Sequence, residues 1–292
     1  MTQIAKKKIE SDFPNLNILE ISKIGEGWDN EAYLVNNEIV FRLPKEGKDN
    51  FFDKERIQHT QSEIKLLKSI ENKLPVLIPK VTHVAPDSLY YGYEFLPGER
   101  VTESVLSTEK KKKDFAKLWI KATLNMEKSL DIEEAKIIGL RPFTSNEYRL
   151  EQIKKVIDSN LLNSNMLSIA KGTLKNYISA WNSARKVFVH ADMGFFNWVY
   201  SKENNTYAII DWSDACIAPI EFHMYRLIED IPSQIDFACN FYKQISGQKI
   251  DKSLLFMCGN ASLISMMGEH IGSDKIDKYK ERFTKWAQLQ DA

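Results

Sequence analysis

The chain is expected to be an α+β protein of two lobes: a five-stranded antiparallel sheet with one long helix, then a larger, mostly helical part. Three observations predict this. Apolar, β-favouring runs crowd the first hundred residues, broken by Gly, Pro and Asn pairs. Helical periodicity takes over after Ser107-Thr108-Glu109. A short β interlude at 186–211 then interrupts the helices. The Pro97-Gly98 step marks the expected boundary, giving lobes 1–96 and 97–292.

Residues 2–12 are polar except for Ile4, Ala5 and Ile9 and read as a short lead-in helix. The runs LNILEISKI, EAYLV and EIVFRL follow as strands, punctuated by Gly25-Glu26-Gly27 and by Asn36-Asn37. An Asn pair between two such runs predicts a tight hairpin. Residues 54–71 turn helical, with Ile57, Ile64, Leu67 and Ile70 near one face. Two more strands are expected at 80–84 and 89–96. Ser107-Thr108-Glu109 caps a helix running to about 130, and 146–159 and 163–185 read as further helices.

Composition narrows the function classes. With 43% hydrophobic residues the chain has ample apolar surface for a core, which excludes a disordered or fibrous protein. Forty Lys+Arg balance forty Asp+Glu, which disfavours a phosphate-tracking nucleic-acid binder. Cys216, Cys239 and Cys258 are odd in number and widely spaced, as expected of reduced thiols rather than a disulfide framework or zinc site. The N-terminus lacks the apolar core of a secretory signal. No window has the roughly 18 apolar residues of a membrane span. A cytoplasmic monomer without membrane or nucleic-acid partners is expected.

The chemistry concentrates in KVFVHADMGFFNWVY and the following NNTYAIIDWSDA. A buried strand, 187–189, delivers His190-Ala191-Asp192, with Asn197 five residues after the aspartate. A second strand, 207–210, delivers Asp211, and the polar turn between brings it back to the edge carrying Asn197. Magnesium with a nucleotide phosphate asks for a few hard oxygen ligands, which Asp211 and Asn197 supply. A separate carboxylate, Asp192, suits the proton of an attacking hydroxyl. The competing reading makes Asp192 and Asn197 loop caps and Asp211 a turn former.

Gly25 and Gly27, in IGEGWDN, let backbone amides approach phosphates closely, although most G-x-G pairs are only turns. No helix follows, so this is not a Rossmann fingerprint, and Gly-Lys-Ser/Thr is absent, so it is not a P-loop. A hairpin lid over phosphates, as in protein kinases, fits. Alternation sets Arg42 on the face opposite Phe41 and Leu43, where it either meets a phosphate or stands exposed. Glu63, on the next helix, either pairs with Arg42 or faces water.

Together these residues resemble the aminoglycoside phosphotransferase family, which shares the protein-kinase-like fold. GEGWDNEAYLVN, VFRLP, the Glu63 helix, KLPVLIPKV, YEFLPGE, VHADMGFFNWVY and IIDWSDA stand in family order along nearly the whole chain. The resemblance implies a kinase with an alcohol acceptor, a nucleoside triphosphate donor (ATP or GTP) and Mg²⁺. It makes Asp192 the base and Asn197 and Asp211 the metal ligands. Arg42 stands where relatives often carry lysine, paired with Glu63. Glu94, Phe95 and Leu96 look like the hinge whose backbone meets the purine, and His190 looks structural. After Asp211 the sequence departs from the family's usual Gly-Asp-Pro, and His223 stands near the place of a later aspartate.

The resemblance points to an aminoglycoside as acceptor, bound between Asp192 and the C-terminal helices. A polycation wants converging carboxylates, and Asp214, Glu221, Glu229 and Asp230 are the candidates. The Glu229-Asp230 pair is similar to one in some aminoglycoside 2″-phosphotransferases and reads equally as a solvated helix end. Phe222, Met224, Tyr225, Phe237, Phe241, Met266 and Met267 read as core, or as an apolar pocket for a macrolide. A small-metabolite kinase and a non-catalytic nucleotide-binding module are the remaining alternatives.

Overall fold

The computed structural model describes residues 2–27, 30–45 and 53–290. Five strands, β1 (Ile21–Glu26), β2 (Asn30–Val35), β3 (Ile39–Pro44), β4 (Val81–Val84) and β5 (Tyr91–Glu94), form one antiparallel sheet in the order β1-β2-β3-β5-β4. Asn36 and Asn37 turn the β2–β3 hairpin with φ of 54° and 57°, the left-handed region that asparagine tolerates. The Asn36 side chain also accepts the Leu19 and Glu20 amides at 2.9 and 3.1 Å. Those amides need no ladder partner, so β1 starts at Ile21, later than the apolar run suggests.

Strand alternation sorts the sheet into two faces. Tyr33, Val35, Phe41, Leu43 and Tyr90 pack with Ala5 and Ile9 of α1 (Thr2–Asp12) in one cluster. Leu34, Val40, Tyr91 and Tyr93 join a second core with Ile64, Leu67 and Ile70 of α2 (Asp53–Ile70). The second core continues without a break into the helical part. The chain crosses at Gly98, whose φ is 143° and where a Cβ would stand 2.6 Å from the Tyr200 carbonyl oxygen. Only glycine fits there. The two-residue strand β6 (Glu99–Arg100) follows.

Beyond it lie α3 (Glu109–Ser129), α4 (Ile132–Ile137), α5 (Asn146–Asp158) and α6 (Ser164–Ser183). Thr108 caps α3 by accepting the Lys111 amide, and Asp131 with Glu134 forms a capping box on α4. The interlude holds β7 (Lys186–Val189), β8 (Trp198–Ser201), β9 (Thr206–Ile209) and β10 (Cys216–Pro219). The remaining helices are α7 (Ile220–Asp230), α8 (Ile235–Ser246), α9 (Lys252–Glu269) and α10 (Ile276–Gln288). Among the described residues no helix is long and apolar enough to cross a membrane. The three cysteines are buried and unpaired.

The interlude differs from expectation in one respect. β7 pairs with β10, while β8 and β9 form a separate hairpin edged by β6. β10 is four buried residues running straight into α7. Such a run has no period of its own, so it merges with the helix pattern beside it.

Candidate active site

β7 ends at Val189, and His190 follows with its ring buried against Trp212. His190 Nε2 donates to the Ile210 carbonyl at 3.1 Å, which puts its proton on that nitrogen. The same peptide segment ties the other side, because the Ile210 amide donates to the Asn197 carbonyl at 3.0 Å. Residue 210 thus fastens the loop after β7 to the end of the β8–β9 hairpin. Burial pushes the His190 pKa down, so the ring stays neutral and acts as a strut. Ala191 and Asp211 sit at φ of 67° and 62°, strained for residues with a Cβ. The Asp192 and Asp211 carboxylates both lie near His190 and Asp214.

Asn197 Nδ2 donates to the Asp192 carbonyl at 2.8 Å and to its Oδ2 at 3.1 Å. This fixes the amide orientation and turns the Asn197 side-chain oxygen away from Asp192. Across the cleft, Arg42 Nη1 meets Glu63 Oε1 and Arg42 Nη2 meets Asp211 Oδ1, both at 2.7 Å. Ser213 adds a hydrogen bond to the same Asp211 oxygen at 2.9 Å. Burial opposes ionisation of Asp211, but Arg42 and the Ser213 hydroxyl outweigh it and hold the pKa below the usual range. Arg42 is charged for the mirror reason: burial resists, while Glu63, Tyr91 and Asp211 prevail.

Gly25 and Gly27 adopt ordinary backbone, and a Cβ at either would meet nothing closer than 3.7 Å. Trp28 and Asp29 lie outside the described residues. In the hinge, the Glu94 carboxylate pairs with Lys80 at 2.9 Å on the outer surface. The Phe95 amide is spent on the Glu38 carbonyl at 2.7 Å, so among the described residues Leu96 carries the unengaged hinge amide.

The four expected acceptor acids separate. Asp214 stands exposed at the cleft mouth. Desolvation, then Asp192, Asp211 and Glu63, push its carboxyl up to about 6. Asp230 Oδ2 accepts the Phe195 amide at 2.7 Å, and desolvation pushes it up to about 7 against the pull of Arg226. Glu229 is engaged at both oxygens, by Arg226 Nη1 at 3.0 Å and by Arg282 Nε at 2.7 Å and Nη2 at 2.6 Å. Glu221 does not join them. It lines a separate cavity of about 340 Å³ with Arg185, Tyr242 and Lys249, and its Oε1 accepts the Asp251 amide at 3.1 Å. The expectation for Glu221 is corrected on these contacts. It is eight residues before Glu229 in α7, about 12 Å along a helix rising about 1.5 Å per residue.

The residue that sequence reasoning passed over is Arg226. Its guanidinium is buried, with Nη2 on Asp192 Oδ1 at 2.6 Å, and it lies 5.0 Å from the centre of the exposed Phe196 ring. A basic residue in EFHMYRLIED, three before Glu229, was the available signal. His223 is also buried, bonded to Thr123 Oγ1 at 3.2 Å and stacked near Trp119, and desolvation drives its pKa well down.

These groups suit a hard divalent cation. Among the described residues no three His, Cys, Asp or Glu gather as an all-protein cage. Asp211 and Asn197 could offer such an ion one carboxylate and one amide oxygen, the sparse set that suffices where phosphates complete the shell.

A family model described as the APH phosphotransferase enzyme family matches residues 20–243. Among solved structures, the GDP complex of wild-type aminoglycoside 2'-phosphotransferase-IIIa superposes with a TM-score of 0.78 at 18% identity, over 99% of each chain. The GDP and kanamycin complex of APH(2″)-IIia gives 0.76 at 19% identity, over 99% of this chain and 98% of that one. Macrolide 2'-phosphotransferase MphH from Brachybacterium faecium gives 0.65 at 13% identity, over 97% and 96%. At such identities the likeness of structures speaks to fold. The family match spans well over half the sequence, and with the kinase-like fold it shows that the chain belongs to the APH phosphotransferase enzyme family.

Proposed function

We propose that this protein is a Mg²⁺-dependent kinase that moves the γ-phosphate of ATP or GTP to a hydroxyl of a small molecule. The observation carrying this reading is the convergence of Asp192, Asn197 and Asp211 through the Ile210 backbone, opposite the Arg42–Glu63 pair. The donor is held between residues 1–96 and 97–292, its purine at Glu94–Leu96. Gly25 and Gly27 lie over its phosphates. The fold itself makes no demand for glycine at those positions, which supports a close approach by a ligand.

Asp192 accepts or orients the proton of the acceptor hydroxyl, its carboxylate fixed by Asn197 and Arg226. Arg42, held by Glu63, offers its charge to the donor phosphates. Asn197 and Asp211 would hold Mg²⁺, which when bound neutralises charge on the transferring phosphoryl group. His190 keeps the loop in place.

The likeness of fold puts aminoglycosides first among acceptors to try, with macrolides and small amino alcohols after them. The deciding experiment is an acceptor panel with ATP and GTP, following nucleotide consumption with and without Mg²⁺. One acceptor that stimulates Mg²⁺-dependent turnover supports the reading. Nucleotide binding without turnover on any acceptor supports a non-catalytic module instead.

A further inference from the structure

We propose that Arg226 and Arg282 are specificity residues that serve as built-in counterions for Glu229, so that the acceptor beside Asp192 is one of low charge rather than a polycation. This rests on the kinase reading above and narrows its acceptor.

The observation is an alternating ladder of charge. It starts at Asp192, passes to Arg226 at 2.6 Å, to Glu229 at 3.0 Å, and ends at Arg282 at 2.6 Å. Signs alternate, so the ladder as a whole is neutral. Both Glu229 oxygens face guanidinium nitrogens. An ammonium group arriving there finds its partner already taken by a planar, permanently charged donor that holds carboxylates in a fixed fork.

The flanking groups point the same way. Asp230 is committed to the Phe195 amide and is held up near 7, so its charge is only partial at neutral pH. Glu221 faces the other cavity. Of the four acids only Asp214 remains toward the cleft. Phe196, an exposed ring over Arg226, instead offers an apolar face beside the base. Such a surface suits the flat side of a sugar or another weakly charged alcohol.

The ladder has a geometric lock. A Cβ on Gly194 would come within 3.3 Å of Asp230 Oδ2 and 3.5 Å of Arg226 Nε, so the loop after the base packs directly on these side chains. Arg226 Nε is itself buried without a partner among the described residues. A donor left in that condition is costly, and it is tolerated here because the two terminal nitrogens are engaged by Asp192 and Glu229.

The test is equilibrium binding of kanamycin, a polyamine glycoside, by calorimetry on the full chain. It needs no turnover. Wild type should bind it weakly, and Glu229→Gln, which leaves one arginine uncompensated, should not tighten it. Arg282→Gln should free Glu229 Oε1, leave the ladder with one net negative charge and tighten kanamycin at least fivefold. The double variant Arg282→Gln/Glu229→Gln should return to the wild-type value. Arg282→Lys, which keeps the charge, should behave as wild type and guards against a folding artefact in Arg282→Gln. Tight kanamycin binding by wild type that Glu229→Gln weakens tenfold overturns the proposal. So does the absence of any gain in Arg282→Gln. Mg²⁺-nucleotide binding, measured in the same samples, reports separately on the kinase reading.

Discussion

The cleft has two charge clusters built on different stoichiometry. On the donor side one buried arginine, Arg42, faces two carboxylates, Glu63 and Asp211, with Asp214 close by. Negative charge is in excess there, which on the proposed reading Mg²⁺ would balance. On the acceptor side Arg226 and Arg282 meet Asp192 and Glu229 one for one. The first cluster carries surplus negative charge, and the second is balanced in itself. On the proposed reading, the first cluster calls for Mg²⁺ with the nucleotide and the second for an acceptor of low charge.

The sharpest way to break the donor cluster is Arg42→Ala. It leaves Glu63, almost fully buried, without its counterion. Removing one partner of a buried pair costs about 3–5 kcal/mol. Urea denaturation should register that loss, with Arg42→Lys recovering part of it. A loss below about 1 kcal/mol would mean the pair is more solvated than the structure indicates.

Asp211→Asn should come next. It keeps the shape and removes the charge that faces the cation. Affinity for Mg²⁺-nucleotide should fall at least about tenfold, or about 1.4 kcal/mol, and nucleotide affinity without Mg²⁺ should fall less. Equal losses in both conditions would separate Asp211 from the metal.

The acceptor cluster predicts a smaller, pH-dependent effect. The native Asp230 carboxyl sits at about 7, against an ordinary value of 3.8, so the folded chain holds a proton that the unfolded chain has lost between those values. The unfolded state binds fewer protons in that window, so this group's contribution to stability falls as pH rises from about 4 to 7. The fall is at most about 1.4 kcal/mol per pH unit. Asp230→Asn keeps an oxygen for the Phe195 amide and abolishes this dependence. Its stability relative to wild type should therefore climb across the same window. A flat difference would show that Asp230 is ordinary.

At the small end, Lys80→Ala removes an exposed partner of Glu94 on the outer face of the hinge. The melting temperature and nucleotide affinity should not change measurably, since such pairs are screened by water.

How much of this was legible in the sequence follows from distance along the chain. The five-stranded sheet was readable because each hairpin is local and announced by its turn, as at Asn36-Asn37. Asp192 and Asn197 were readable because five residues of loop keep them in contact. Arg42, Glu63 and Asp211 were each visible as types, but which oxygens Arg42 reaches depends on packing over 169 residues. Arg226 escaped because its partner lies 34 residues back on another element. Arg282 reaches Glu229 across 53 residues, and no periodicity announces such a pair. Glu221 was assigned by type alone. The helix carries it to a different cavity from Glu229 and Asp230.

The most direct measurement is acceptor-stimulated nucleotide turnover by Asp192→Asn beside wild type, with Mg²⁺-nucleotide affinity determined on both. Losing a positioned base should lower turnover by about a hundredfold or more, with nucleotide affinity nearly unchanged. Turnover equal to wild type in Asp192→Asn, on an acceptor whose phosphorylated product is identified, would contradict the account.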